Sequence, residues 1–166
     1  MTRIAMLTDQ IRAARAYTES LLDADDPADW FRMPTEGVSH VAWQVGHLAF
    51  AGYRLALERV RGRRADDIDL ISDAFLERFG RGSTPAPDPS SYPDAAEIRA
   101  TFDRIQARVV AELAHLDDAE LDRPVAVPHR LCGTKGEILA WAARHEMFHA
   151  GQIALLRRLL GRPPLW

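Results

Sequence analysis

Two histidines four residues apart give the clearest chemical signal in this sequence, within the run His145-Glu146-Met147-Phe148-His149. Residues four apart share one face of a helix, so both imidazoles point the same way and can reach one ion. The helix around them is otherwise apolar enough to turn this face inward, where an unpartnered polar group costs about 1–3 kcal/mol. A metal ion satisfies both rings at once, whereas hydrogen bonds to backbone or carboxylate groups are the structural alternative.

The same run matches the HExxH pattern of zinc proteases, in which Glu146 would be the general base. Many such proteases take their third ligand from downstream of the helix, but residues 150–166 contain no His, Asp, Glu or Cys. No strand that would align a peptide substrate is evident either, so the sequence disfavours a protease. The third ligand must come from upstream, and His47, which lies among apolar residues of a predicted helix, is the best candidate.

The remaining three histidines and the one cysteine are expected outside the metal site. His40 lies two turns before His47, too far to share an ion, and is expected to help its helix begin or to line a pocket mouth. His115 falls at a helix end, where the dipole favours a cation, and His129 falls in a loop. Both are expected to be structural or solvent-facing. Cys132 lies about 20 Å along the last helix axis from the histidine pair, too far to be a ligand.

Five further side chains are candidates for the surroundings of the metal. Trp43 and Trp141 each precede a candidate ligand by four residues, which predicts a large ring beside each histidine that shields the site from bulk water. Gln44 and Gln152 are candidates for hydrogen bonds to the ligands or to a substrate. Arg54, two helical turns after His47, could meet an anionic cofactor at the pocket mouth. A surface or core-edge position is the alternative for Gln44, Gln152 and Arg54.

The elements that must position these residues are helices, because apolar residues recur at spacings of three and four. We predict four long helices, at 3–24, 39–61, 94–116 and 134–160. Ser39 is the expected N-cap of the second helix, and Thr134 with Glu137 forms a capping box for the fourth. The long connection 62–93 is rich in Gly and Pro. The sequence therefore predicts an all-α fold, a four-helix bundle with a long crossover between helices 2 and 3.

Composition limits the classes of protein that this chain can be. Its 166 residues suit one domain over 1–166, and its single cysteine excludes an internal disulfide. The net charge of −3 argues against a nucleic-acid partner. No apolar run is long enough to cross a membrane, and the first residues do not form a signal peptide. The expected location is therefore the cytoplasm, and the expected partner is a small-molecule substrate.

With these residues in place, the chain resembles the DinB/YfiT superfamily of metal-dependent bacterial four-helix-bundle enzymes. The resemblance covers nearly the whole chain. Its specific part is His47 in the second helix together with the run His145-x-x-x-His149-Ala150-Gly151-Gln152-Ile153. Leu155-Leu156-Arg157-x-Leu159-Leu160-Gly161 continues the likeness.

The resemblance implies a divalent metal, of the zinc, nickel or iron type, held by His47, His145 and His149. It also implies an S-transferase or isomerase that uses a low-molecular-weight thiol such as mycothiol or bacillithiol, and a homodimer. Some thiol-using relatives have a glutamate where this chain has His145, so the donor set here differs from theirs at one position.

The residues themselves leave other functions open. A metal held by three neutral imidazoles can activate a bound water as well as a thiol, so a metal-dependent hydrolase is the first alternative. A bundle that binds a metal or senses a ligand without turnover is the second. Structural zinc sites normally have four protein ligands, and only three candidates are found, which favours an open site. A bundle with no metal and an interaction role is the third.

Overall fold

The computed structural model describes residues 1–165, and its secondary structure over that range is helical. Helix α1 spans Arg3–Asp23, and α2 is the continuous helical segment 41–61. Two short helices follow, α3 at Asp67–Leu70 and α4 at Asp73–Arg78. The last two long helices are α5 at Ala95–Leu113 and α6 at Lys135–Leu159. The predicted all-α class is confirmed, and within the described residues the only β-type pairing is an isolated bridge between Pro124 and Thr134.

Side-chain caps set where the long helices begin. Thr134 accepts a hydrogen bond from the Glu137 N–H, and the Glu137 carboxylate accepts one from the Thr134 N–H, which completes the capping box. Asp94 caps α5 in the same way, by accepting from the Glu97 N–H. The prediction for α2 was wrong at its start: the cap is His40, not Ser39.

Helix α2 is not α-helical throughout. It is an α-helix over Val41–Gly52, a π-helix over Tyr53–Glu58 and an α-helix again over Arg59–Arg61. The Arg59 N–H donates to the carbonyl of Arg54, five residues earlier, as the π-helical pattern requires. The apolar periodicity that predicts the helix does not distinguish these two hydrogen-bond patterns.

The four long helices bury their apolar faces against one another. Helix α1 packs mainly against α6, while α2 packs against both α5 and α6. Leu48, Phe102, Ile105 and Ile138 are among the fully buried side chains, and each contributes about 1.5–3 kcal/mol through removal from water. This packing brings α2 and α6 side by side, which is what the site requires. That residues 1–166 form one domain stays a prediction.

The connection between α2 and α5 is partly helical and packs back onto α2. Its residue Phe79 is fully buried and lies against Gly46, the glycine inside α2. A Cβ at position 46 would lie 2.3 Å from the Phe79 ring, so only glycine allows this close approach. A crossover between opposite ends of a bundle stays a prediction for this segment. None of the helices in residues 1–165 combines the length and apolar character that a membrane span needs.

Candidate metal centre

The structure brings the three candidate ligands together between two helices. His47 extends from α2, and His145 and His149 extend from one face of α6. The ring centroids of His47 lie 5.5 Å from His145 and 4.7 Å from His149, and those of His145 and His149 are 4.6 Å apart. One nitrogen of each ring lies within 4.8 Å of the other two, which is close enough for one ion to contact all three.

His47 is held in place by the connection and by a tryptophan. Its Nδ1 lies 2.8 Å from the carbonyl oxygen of Phe79, so Nδ1–H donates there and Nε2 keeps its lone pair. The ring of Trp43 stacks on His47 at 4.9 Å and 10°. Trp43 is itself fixed by a hydrogen bond from its indole N–H to the Ser83 hydroxyl, 3.1 Å away. Trp43 therefore lies beside the histidine and packs on one face of its ring.

His149 is held by a chain of two glutamines. Its Nδ1 lies 2.6 Å from the side-chain oxygen of Gln44, so the ring donates from Nδ1 and its Nε2 is free. Gln44 in turn donates from Nε2 to the side-chain oxygen of Gln152, at 2.9 Å. Such partners fix the tautomer and orientation of a metal-binding histidine. Gln44 is buried and Gln152 is exposed, so the chain of hydrogen bonds runs from the site to the surface.

His145 has no hydrogen bond within the described part of the chain, although it is half-buried and touches both other rings. Together with the free Nε2 atoms of His47 and His149, this leaves three imidazoles with unused ring nitrogens facing one region. Because one nitrogen of each ring lies within 4.8 Å of the others, this arrangement fits a group that accepts electron pairs from all three rings. A divalent metal ion is such a group.

The protonation states suit a metal as well. Burial lowers the pKa of His47, against the Phe79 carbonyl, which raises it. Burial lowers the pKa of His145 to about 4, with a smaller contribution from the nearby His47. Burial, and then the neighbouring rings, lower the pKa of His149 to about 3. All three rings are therefore neutral near pH 7, which is the form that coordinates a metal.

The cluster opens onto a cavity of about 470 Å³ that His47 and His145 help to line. Trp141 and Arg54, two further residues singled out from the sequence, lie in the wall of this cavity. The Arg54 guanidinium forms an ion pair with Glu58. Within residues 1–165 the group of candidate ligands comprises only the three histidines. The donor set therefore fits an ion with at least one position open toward the cavity.

The other histidines and the cysteine lie outside this cluster. His40 caps α2, since its Nδ1 accepts from the Trp43 N–H at 3.1 Å, and burial lowers its pKa to about 4. His115 is exposed just beyond α5. Cys132 is buried, and burial raises the pKa of its thiol, which makes it a poor nucleophile. His129 differs from expectation: it is half-buried and lines the cavity, with its ring 6.3 Å from Trp141.

Glu146, the base of the disfavoured protease interpretation, points away from the cluster. Its Oε1 accepts from Arg15 Nε at 2.7 Å, and both side chains are buried between α1 and α6. A carboxylate that is already paired in the core is not available to act on a substrate near the histidines.

Sequence reasoning missed several residues of the site. The Phe79 carbonyl, Arg81 and Arg130 come from loops, and Arg59 comes directly after the π-helical segment. Gly46 is the sequence feature that indicates the contact with Phe79. A glycine inside a helix suggests that another part of the chain packs closely against the backbone, but it does not identify that part.

Comparison with known proteins agrees with this architecture. The family model of the DinB superfamily matches residues 10–153. A crystal structure of an uncharacterised protein from Escherichia coli UTI89 superposes with a TM-score of 0.63 and 12% identity, over 98% of this chain and 96% of that chain. The structure of a conserved protein from Enterococcus faecalis gives 0.65 and 17%, over 98% and 99%.

A search of curated proteins finds no match. At identities this low, the two solved structures support the fold alone. The family model covers most of the chain, and it includes all three histidines of the cluster. The chain therefore belongs to the DinB superfamily.

Proposed function

We propose that this protein is a metal-dependent enzyme that transfers a low-molecular-weight thiol to an electrophile, as an S-transferase or a thiol-dependent isomerase. His47, His145 and His149 would hold a divalent ion of the zinc, nickel or iron type. The partner that it acts on is a small molecule, since the site opens to a cavity rather than to a broad surface.

One observation carries the proposal: three neutral imidazoles converge with unused nitrogens, and one side of the cluster faces a cavity. A structural zinc site is normally closed by four protein ligands, whereas catalytic sites keep a position for substrate or water. The three-histidine set with an open side therefore supports a reactive centre over a purely structural one.

The protein's own residues have distinct roles in this proposal. The bound ion supplies a charge that stabilises a thiolate or hydroxide at neutral pH. The Phe79 carbonyl and Gln44 hold His47 and His149 in the tautomer that leaves Nε2 free. The aromatic rings of Phe50 and Trp141 line the cavity beside the site and exclude water from part of it.

The choice of thiol transfer over hydrolysis comes from the family resemblance, because the donor set is compatible with either reaction. A hydrolase remains the alternative, and so does a bundle that binds a metal or senses a ligand without turnover. The two enzyme functions differ in a measurable way: a transferase consumes one thiol for each electrophile, and a hydrolase consumes none.

The test is a thiol-consumption assay on the metal-loaded protein with a panel of electrophiles, run with and without a chelator. Free thiol and metal content are both measured. We expect thiol loss that the chelator abolishes and that His149→Ala abolishes with it. The matched control is His115→Ala, an exposed histidine away from the site. Electrophile loss without thiol loss would support the hydrolase, and metal uptake without turnover would support the binding bundle.

The proposal includes a homodimer, which the family resemblance implies, and a cytoplasmic location, which the composition predicts. Helix α6 carries exposed apolar side chains on one side, and Phe148, Leu155 and Leu159 are 60%, 47% and 54% exposed. A cluster of this kind is typical of an interaction surface. If α6 forms the interface, Leu155→Glu shifts the mass measured by analytical ultracentrifugation from dimer to monomer, whereas a single monomeric mass for the wild type contradicts the dimer.

A further inference from the structure

The charged side chains that line the cavity beside the histidine cluster are positive. Among residues 1–165, four arginines line it, namely Arg54, Arg59, Arg81 and Arg130, and no Asp or Glu does. These guanidinium groups make the cavity electropositive without any contribution from a metal ion. Like charges that share a confined space repel one another unless an anion enters.

Three of these arginines form no ion pair within residues 1–165, although the charge of Glu58 acts on Arg59. Arg54 is paired with Glu58, but no ion pair forms at Arg59, Arg81 or Arg130 among the described residues. Arg59 donates from Nη1 to the Arg54 carbonyl at 3.3 Å, while its Nε is buried without a partner. A guanidinium group that forms no ion pair keeps N–H donors that can bind a ligand.

Arg59, Arg81 and Arg130 line the same cavity as His129. Burial lowers the pKa of His129, and the positive charges of these three arginines lower it further. Arg59 belongs to α2, Arg81 to the connection after α4 and Arg130 to the loop before α6. Three separate segments thus direct positive charge at the same space.

The π-helical segment explains how two of the arginines come to line one cavity. Residues five apart on an α-helix differ in direction by about 140°, so Arg54 and Arg59 would face different sides. In the π-helical pattern, residue 59 is hydrogen-bonded to residue 54 and lies one turn above it. Both therefore line the cavity, on the side of α2 that also carries His47.

From these observations we propose that the cavity binds the carboxylate or phosphate group of the substrate, through Arg59, Arg81 and Arg130. Phe50, Leu131 and Trp141 contact the apolar body of the same molecule. This inference rests on the proposed function, since it names the substrate class of that site. Arginine suits the role because its planar fork binds an oxyanion through two hydrogen bonds.

The test is isothermal titration of the full-length protein with phenylacetate and phenyl phosphate, and with neutral phenylacetamide. It is run on chelated and on Zn²⁺-loaded protein. We expect both anions to bind the chelated protein at least about tenfold more tightly than the amide, and more weakly as NaCl is raised. The ratio of the two anion affinities distinguishes a carboxylate site from a phosphate site.

The variant is the double change Arg81→Gln and Arg130→Gln, because both side chains are exposed and their loss does not disturb the core. We expect anion binding to weaken about tenfold or more. The matched control is Arg12→Gln with Arg158→Gln, which removes the same charge from exposed positions on α1 and α6. Equal weakening in the control would overturn the inference, as would equal binding of the amide.

This experiment separates the anion site from the proposed function. Anion binding that depends on Arg81 and Arg130, in a protein that takes up no metal, supports the anion site and contradicts the metal-dependent enzyme. Metal uptake, with anion binding unchanged in the double variant, supports the metal site and overturns the anion site. Anion binding only in the Zn²⁺-loaded form, and unchanged by the double variant, assigns the anion to the metal and overturns the inference.

Discussion

Two polar side chains on successive residues of α6, the half-buried His145 and the buried Glu146, behave in opposite ways. His145 faces α2 and makes no hydrogen bond among the described residues, whereas Glu146 faces α1 and is fully engaged with Arg15. The Arg15 guanidinium also donates to the Phe102 carbonyl at 2.9 Å and lies 3.3 Å from the centroid of the Phe102 ring.

The difference teaches how a structural polar group can be told from a functional one. At Arg15 and Glu146 the donors and acceptors match one another, so the pair needs nothing from outside the protein. In the histidine cluster, ring nitrogens remain unused at a cavity wall. The first region should therefore respond to mutation in stability, and the second in ligand binding.

The largest effect is expected from Glu146→Ala. Removing one partner of a buried ion pair leaves Arg15 as an uncompensated charge, which costs about 3–5 kcal/mol of folding free energy. Urea denaturation measures this loss. Glu77→Ala, at an exposed position of α4, is the control and should change stability by less than about 0.5 kcal/mol. A loss near the control value would show that the two regions do not differ in this way.

The next effect is expected from His149→Ala, in binding and not in stability. Removing a residue that only orients a metal ligand typically weakens metal affinity 10- to 100-fold. Removing one of the three ligands should weaken it more, so we expect a loss of about a hundredfold or more. Calorimetric titration with Zn²⁺ measures it, with His115→Ala as the control. Unchanged Zn²⁺ affinity in His149→Ala would mean that the histidine cluster is not the metal-binding site.

A smaller effect is expected from Gln44→Ala. This change removes the acceptor that orients His149 and leaves the ligand in place, so metal affinity should fall by about 10- to 100-fold. Gln152→Ala removes only the partner of Gln44 and should have a smaller effect. The control, Gln10→Ala, replaces an exposed glutamine of α1. Equal losses in Gln44→Ala and Gln10→Ala would contradict the orienting role.

The smallest effect is expected in the pH dependence of the metal-free protein. An unfolded histidine has a pKa near 6.5, against about 4 for His145 and about 3 for His149 in the fold. Between these values the unfolded chain binds more protons, so stability is full above pH 6.5 and falls as pH drops toward 4. Because both rings are half-buried, the slope stays below the limiting value of about 1.4 kcal/mol per pH unit for each ring.

Urea denaturation at pH 7 and pH 5 measures this slope. A variant with His145→Ala and His149→Ala should show a shallower decline than the wild type. His40, whose pKa is also near 4, contributes equally to both proteins. An identical decline in the double variant would mean that the cluster is not buried in neutral form.

Much of the architecture follows from local sequence signals. Apolar periodicity predicts the long helices, and side-chain caps at Asp94 and Thr134 fix where α5 and α6 begin. The spacing of His145 and His149 on one face, with few partners available, predicts their shared site. The sequence places His47 on an inward face, but only the packing of α2 against α6 brings it to the pair.

The rest depends on contacts that no local pattern encodes. Phe79 reaches His47 because the connection folds back onto Gly46, and Arg81 and Arg130 lie in loops whose paths are set by packing. The π-helical segment cannot be predicted from the sequence either, because its apolar residues have the periodicity of an ordinary α-helix. His40, rather than the predicted Ser39, caps α2, because an imidazole nitrogen can also accept a backbone hydrogen bond.

The change of helical pattern within α2 has a consequence for how this protein can diversify. The part that holds the histidine lies in regular α-helix before residue 53, and the part that carries Arg54 and Arg59 lies in or after the π-helical segment. On the proposed function, substitutions in the second part would change which anion the cavity binds without moving the histidine in the first part. The metal site and the anion site can therefore be altered independently of each other along one helix.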